Sequence, residues 1–136
     1  MSRARKAPVH EVEIRRAGRG DEETVAALVF EAFAPFQDEY TPDAFDYTAA
    51  SADRIRDRFA EGPVWLAYID EEPVGTVSGL PEVERFYIRS MAIKPSVQRG
   101  GIGQRLLETL EEFAVDAGYE TLYLYTTFVL PGAKRL

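Results

Sequence analysis

The stretch from Phe86 to Phe128 changes its hydrophobic period twice, and this restricts the possible topologies more than any other feature of the chain. "ERFYIRSMAIKP" reads as a long strand that Pro95 stops, because proline brings no N–H to a strand ladder. A short loop follows, with glycines at 100, 101 and 103. From Ile102 the period becomes helical. Leu106, Leu107, Leu110, Phe113, Ala114 and Ala117 continue one apolar stripe, and Gln104, Arg105, Glu108, Glu111, Glu112 and Asp116 cover the other faces. Gly118 is placed to end the helix, and "TLYLYTTF" reads as a second buried strand. A strand, a helix and a strand in succession imply a crossover and locally parallel pairing within a mixed sheet.

The residues before this unit supply the rest of a layered α/β (α+β) domain. "VHEVEIRRAG" reads as a first strand. Asp21 is placed to cap a helix with Glu22 and Glu23 in its first turn, where negative charge is favourable. Val25, Leu28, Val29, Ala32, Phe33 and Phe36 mark the apolar face of that helix. A looser stretch runs from Thr41 to Ala50, with Pro42 suited to a first helical position. "SADRIRDRFAEG" reads as a short, mostly solvated helix ending at Gly62. "PVWLAYID" is a strand with Trp65 in the core, "EEP" turns the chain, and "VGTVSG" returns as the hairpin partner. The first eight residues read as a flexible tail and residues 9–136 as a single domain.

Charge and composition remove several functions. The chain has no cysteine, which excludes thiol catalysis and cysteine-based zinc sites, and one histidine, His10, which reads as structural. A metal site is therefore not expected. The net charge is −7; residues 1–20 hold six basic and two acidic groups, so the remainder carries −11. An acidic body argues against nucleic acid as a partner. No apolar run approaches the roughly 20 residues that span a bilayer, and the basic N-terminus lacks the apolar core of a secretory signal. A cytoplasmic protein with no membrane association is the expectation.

The glycine-rich loop carries the chemistry. Helix N-termini present unpaired N–H groups and a partial positive charge, and phosphates bind there. Glycines let the main chain approach an anion closely, and Arg99 can add a charge-assisted contact. A Walker A loop would need Gly-Lys-Ser/Thr where the chain has Gly103-Gln104-Arg105. The dinucleotide fingerprint would need a small residue at Leu106.

"SMAIKPSVQRGGIGQRLLETLEEFA" resembles the acetyl-CoA-binding core of the Gcn5-related N-acetyltransferase (GNAT) superfamily. Met91-Ala92-Ile93 ends the strand, Lys94 to Val97 form the spacer, and Gln98-x-x-Gly101-x-Gly103 completes the motif before the amphipathic helix. The resemblance implies a mostly antiparallel mixed sheet with helices on both faces and splayed central strands, with Met91 to Ile93 diverging from Thr121 to Phe128. It implies acetyl-CoA as cosubstrate. The pantetheine arm would bond to the main chain around Met91, Ala92 and Ile93. The diphosphate would lie on amides of Arg99, Gly100, Gly101, Ile102 and Gly103, with Gln98 and Gln104 flanking them.

The implied reaction is direct acetyl transfer to a primary amine of a small molecule or peptide. Many family members place a glutamate base four residues before the Met91 position, where this chain has Tyr87. Tyr87 would orient substrate, and Glu82 or Glu84 would take the proton directly or through water; Glu84 and Tyr87 are the catalytic candidates. Phe45 and Tyr47 fall in the region that forms the acceptor wall. Family members continue past "PGAKRL" with a tyrosine and two more strands. On that pattern the domain is short at its C-terminus, and a homodimer covering the exposed strand edge is expected. The competing readings are a CoA-binding module without turnover and a phosphate- or nucleotide-binding protein of another fold.

Overall fold

A computed structural model describes residues 11–97 and 100–124. The elements, in order, are β1 (Glu13–Arg16), α1 (Glu22–Phe33), a 3-10 segment (Ala34–Glu39), α2 (Pro42–Thr48), α3 (Ala52–Glu61), β2 (Val64–Ile69), β3 (Glu72–Pro81), β4 (Phe86–Ile93), a 3-10 turn (Pro95–Val97), α4 (Ile102–Asp116) and β5 (Leu122–Leu124). The five strands lie in the sheet in sequence order. The first three pairings are antiparallel and β4 pairs β5 in parallel, as the crossover through α4 requires. The expected tail, His10, the expected strand beyond Leu124 and "PGAKRL" lie outside the described residues.

Local chemistry sets most of the boundaries. The Thr41 hydroxyl accepts the Ala44 N–H at 3.1 Å and the Ser51 hydroxyl accepts the Arg54 N–H at 3.4 Å, so α2 and α3 start on side-chain caps. Asp21 precedes α1 but does not cap it through its side chain; its carboxylate instead accepts the Gly18 N–H at 2.9 Å and closes the preceding turn. Gly118, at φ 94°, ends α4. The Tyr119 N–H returns to the Ala114 carbonyl and the Gly118 N–H to the Val115 carbonyl, the paired bonds of a Schellman motif. The β2–β3 turn falls on Asp70 and Glu71, at φ 52° and 67°, rather than on "EEP". Two successive left-handed residues give the turn a twist matching that of the flanking strands. Glu72 and Pro73 are therefore already paired, with Ile69 and Tyr68.

Alternating strand residues feed two cores. Trp65, Ala67, Val77, Phe86 and Ile88 pack on one face with Ile102, Leu106, Leu110 and Ala114 of α4. Val64, Leu66 and Ala92 pack on the other with Val25, Leu28 and Val29 of α1 and Ile55 of α3. Helices thus cover both faces of the sheet. Trp65 is a core residue, its ring edge-to-face with Phe113 at 5.5 Å. Phe33 packs against the α1 core, while Phe36 is only half-buried in the 3-10 segment. Among the described residues, no helix is long and apolar enough to cross a membrane.

One irregularity matters for function. Gly79 pairs with Ile88 and Ser78 with Ser90, so Arg89 has no partner across the ladder. Phe86 and Ile88 face α4, yet so do Met91 and Ile93. An extra residue is needed for an even-numbered series to give way to an odd-numbered one on the same face. The β-bulge at Arg89–Ser90 supplies it.

Candidate functional site

Two features meet at β4. The first is the turn into α4. Gly101 occupies the N-cap position at φ 77°, a left-handed conformation that side-chain-bearing residues adopt at a cost. The Arg105 N–H bonds back to the Gly101 carbonyl at 3.1 Å and starts the helical ladder. No side chain among the described residues caps this end. The Gly100 N–H is taken by the Val97 carbonyl at 3.2 Å, whereas no acceptor among the described residues takes those of Gly101, Ile102 or Gly103. Gln98 and Arg99 lie outside the described residues.

The packing does not itself demand glycine at 100 or 103. A Cβ on Gly100 would sit 3.6 Å from the nearest atom, the Val97 oxygen, and one on Gly103 would sit 3.8 Å from the Met91 methyl. Both are ordinary contact distances. Bare main chain at these positions leaves open a cradle that a side chain would fill, next to donors that no described acceptor takes. These properties fit a diphosphate, as required of a CoA site. Alongside it, Ala92 is buried, while Met91 and Ile93 are half-buried against the α4 core. β4 pairs with β5 only over Phe86–Ile88 among the described residues, so no described strand borders Met91 to Ile93 on that side.

The second feature is a cavity of about 570 Å³ on the opposite face, between α3 and the β3–β4 pair. Tyr47 and Leu80 border it together with Arg54, Asp57, Arg58, Glu61 and Arg89. Tyr47 is 57% exposed and reaches this cavity; Phe45 instead enters the core, edge-on to Phe30 and Tyr40. Tyr87 pairs directly with Leu80 on one side and Tyr123 on the other, and paired residues share a face. Its ring lies edge-to-face with that of Tyr123 at 5.1 Å, with the Arg85 guanidinium 4.4 Å above Tyr123. Tyr87 therefore stands on the cavity face, two residues before Arg89. Glu84 is exposed in the β3–β4 loop. Glu82 pairs with Arg85 at 3.3 Å, and its carbonyl accepts the Tyr119 hydroxyl at 3.0 Å.

Arg58 and Arg89 were not candidates from sequence. Arg58 is 7% exposed and donates to the Tyr47 carbonyl at 2.8 Å, so the mostly solvated reading of α3 fails at this residue. Arg58 stands three residues after Ile55, on the same buried face of the helix, and that spacing was the available signal. The change of face between Phe86/Ile88 and Met91/Ile93 was the corresponding signal for Arg89. Among the described residues, no group of three or more His, Asp or Glu is placed to hold a metal ion.

This fold, with a glycine turn opening off the end of its fourth strand, defines a class. The model of the acetyltransferase (GNAT) family matches residues 25–136, and the chain belongs to that family. It is 26% identical over 115 residues to the uncharacterized N-acetyltransferase YafP of Escherichia coli, covering 80% of this chain and 74% of that one. Among solved structures, the PaiA N-acetyltransferase of Thermoplasma acidophilum in complex with coenzyme A superposes with a TM-score of 0.74 at 18% identity, covering 85% of this chain and 79% of that one. A GNAT family acetyltransferase of Brucella melitensis in complex with acetyl-CoA gives 0.71 at 20% identity, over 88% and 78%. The fold expected from the sequence is thus the observed one.

Proposed function

We propose that this chain transfers an acetyl group from acetyl-CoA to a primary amine of a small molecule or peptide. The observation that carries this reading is the set of amides at Gly101, Ile102 and Gly103 that no acceptor among the described residues takes, next to the strand end at Met91 to Ile93. CoA or acetyl-CoA is bound in the two solved relatives. In this reading the amides, with Gln98, Arg99, Gly100 and Gln104 around them, hold the diphosphate. The main chain of Met91, Ala92 and Ile93 aligns the pantetheine arm. Acetyl-CoA, when bound, supplies an acyl group activated as a thioester.

The chain's own residues then have three tasks. They present a neutral amine, orient it towards the carbonyl carbon, and accept the proton it loses. Tyr87 is positioned for orientation: it stands on the cavity face and is braced by Tyr123. An unperturbed phenol, with its pKa near 10, is a weak base at neutral pH, so proton removal falls to Glu84 or to water. Glu82 is already held by Arg85.

The test has two stages. Acetyl-CoA, ATP and NAD are compared for their effect on thermal unfolding. A ligand at about 100 times its dissociation constant stabilises by roughly 2.7 kcal/mol, and only acetyl-CoA is expected to do so. Release of free CoA thiol is then followed with a panel of primary amines. Stabilisation by ATP or NAD but not by acetyl-CoA would remove the acetyltransferase reading.

A further inference from the structure

The cavity beside Tyr87 has an electrostatic imbalance. Buried guanidinium groups are normally matched by carboxylates, because desolvating an unpaired charge is expensive. Here two arginines are at least nine-tenths buried and only one carboxylate is in ion-pair contact with them. Glu61 lies 2.8 Å from Nη2 of Arg89, and Glu61 is itself about half exposed. The Arg89 side chain is 10% exposed, and its Nε is buried with no hydrogen-bond partner. Arg58 has no carboxylate within ion-pair distance among the described residues; it donates to the Tyr47 carbonyl and lies over the Tyr47 ring, with the Glu61 charge acting on it from further away. Burial, and then the neighbouring Arg89, hold the Arg58 guanidinium below its usual pKa. Around the cavity Arg54, Arg58 and Arg89 face Asp57 and Glu61, which leaves one positive charge in excess.

We propose that this cavity is a carboxylate-binding subsite, in which Arg58 and Arg89 hold the carboxylate of an acceptor whose amine lies at its other end. The proposal rests on the acetyl-transfer reading above and names the acceptor class that reading leaves open. A single excess positive charge matches a monoanion better than a phosphate dianion. The planar guanidinium suits a carboxylate, which it can bind through two parallel N–H donors. Arg89 lies two residues from Met91, and the bulge between them shortens the roughly 7 Å that two regular strand residues would span. Amine and carboxylate would therefore be separated by a short aliphatic chain rather than share one carbon.

The probes are 6-aminohexanoate, hexylamine and 4-aminobutyl phosphate, which have the same reach and differ in the distal group. With wild-type protein and acetyl-CoA, kcat/KM for thiol release is expected to be about 10- to 100-fold higher for 6-aminohexanoate than for hexylamine, mainly through KM. Arg89→Gln should erase that preference by lowering kcat/KM for 6-aminohexanoate far more than for hexylamine, and Arg89→Lys should retain part of it. Equal kcat/KM for the two amines in the wild type overturns the proposal, as does an equal loss for both in Arg89→Gln. Faster turnover of the phosphate overturns the assignment to a carboxylate. If no amine releases thiol, the acetyl-transfer reading fails, and the subsite is judged by binding alone. 6-Acetamidohexanoate, but not its uncharged amide, should raise the melting temperature of the wild type and not of Arg89→Gln. Absence of that shift overturns the subsite.

Discussion

The two faces of the sheet are built on different terms. The α4 face is dry: Phe86, Ile102, Leu106 and Leu110 are all at most 1% exposed, and the rings of Trp65, Phe113, Phe86 and Tyr119 meet edge-to-face in succession. The α1/α3 face carries all three buried polar residues of the described chain, Arg58, Thr76 and Ser78. Thr76 is satisfied, since its hydroxyl donates to the Trp65 carbonyl at 2.8 Å. The Ser78 hydroxyl and the Arg89 Nε have no hydrogen-bond partner among the described residues. The difference teaches that stability and recognition are divided between the faces. The side that anchors α4 maximises packing, and the opposite side gives up packing to keep polar groups available.

Four experiments would break or sharpen that contrast, and the largest effect is expected where the α4 face meets the glycine turn. Gly101→Val forces a β-branched residue to φ 77° and places a side chain among the free amides. Acetyl-CoA affinity should fall by about 100-fold or more, read by titration calorimetry on protein shown to be folded by circular dichroism. Leu110→Ala opens a cavity in the dry core and should cost about 2–5 kcal/mol in urea unfolding. A loss below 1 kcal/mol there would mean the two faces are not so different. Arg58→Met tests the other face directly. Removing a buried charge that lacks a carboxylate should leave stability within about 1 kcal/mol of wild type or raise it, even though the Tyr47 carbonyl loses its donor. A large destabilisation would show that Arg58 is structural.

The smallest effect concerns Tyr40, buried against Phe33 and Phe45. Burial, and then Glu39, raise its pKa above the usual tyrosine value near 10. The folded state therefore keeps the phenol proton at pH values where the unfolded chain has begun to lose it. This contribution is fully present below about pH 10 and is lost as pH rises through the folded-state pKa. Tyr40→Phe should flatten that part of the stability–pH curve and leave the neutral range unaffected, as measured by urea midpoints between pH 8 and pH 11 (roughly spanning the window).

The dry face was the more legible of the two in sequence. Ile102, Leu106, Leu110 and Ala114 repeat every four residues, and no tertiary contact contradicts that stripe. The glycine turn was legible because its chemistry lies in the main chain, and three glycines within four residues advertise main-chain work. The polar face was not. Arg58 reads as solvated because arginine usually is, and only its position relative to Ile55 reveals the burial. Arg89 depends on a bulge, and a bulge is visible only as a mismatch between two alternating series. The hairpin turn was placed one residue late because its left-handed residues are Asp70 and Glu71, with no glycine to mark them.

The unpaired residue in β4 is one that the α4 face does not need. Exchanging Arg89 for another side chain alters one wall of a cavity. Deleting it would restore strict alternation with Phe86, Ile88, Met91 and Ile93 all still facing α4, and would remove only the guanidinium from the opposite side. The packed interior therefore does not depend on position 89, while the cavity on the other face does.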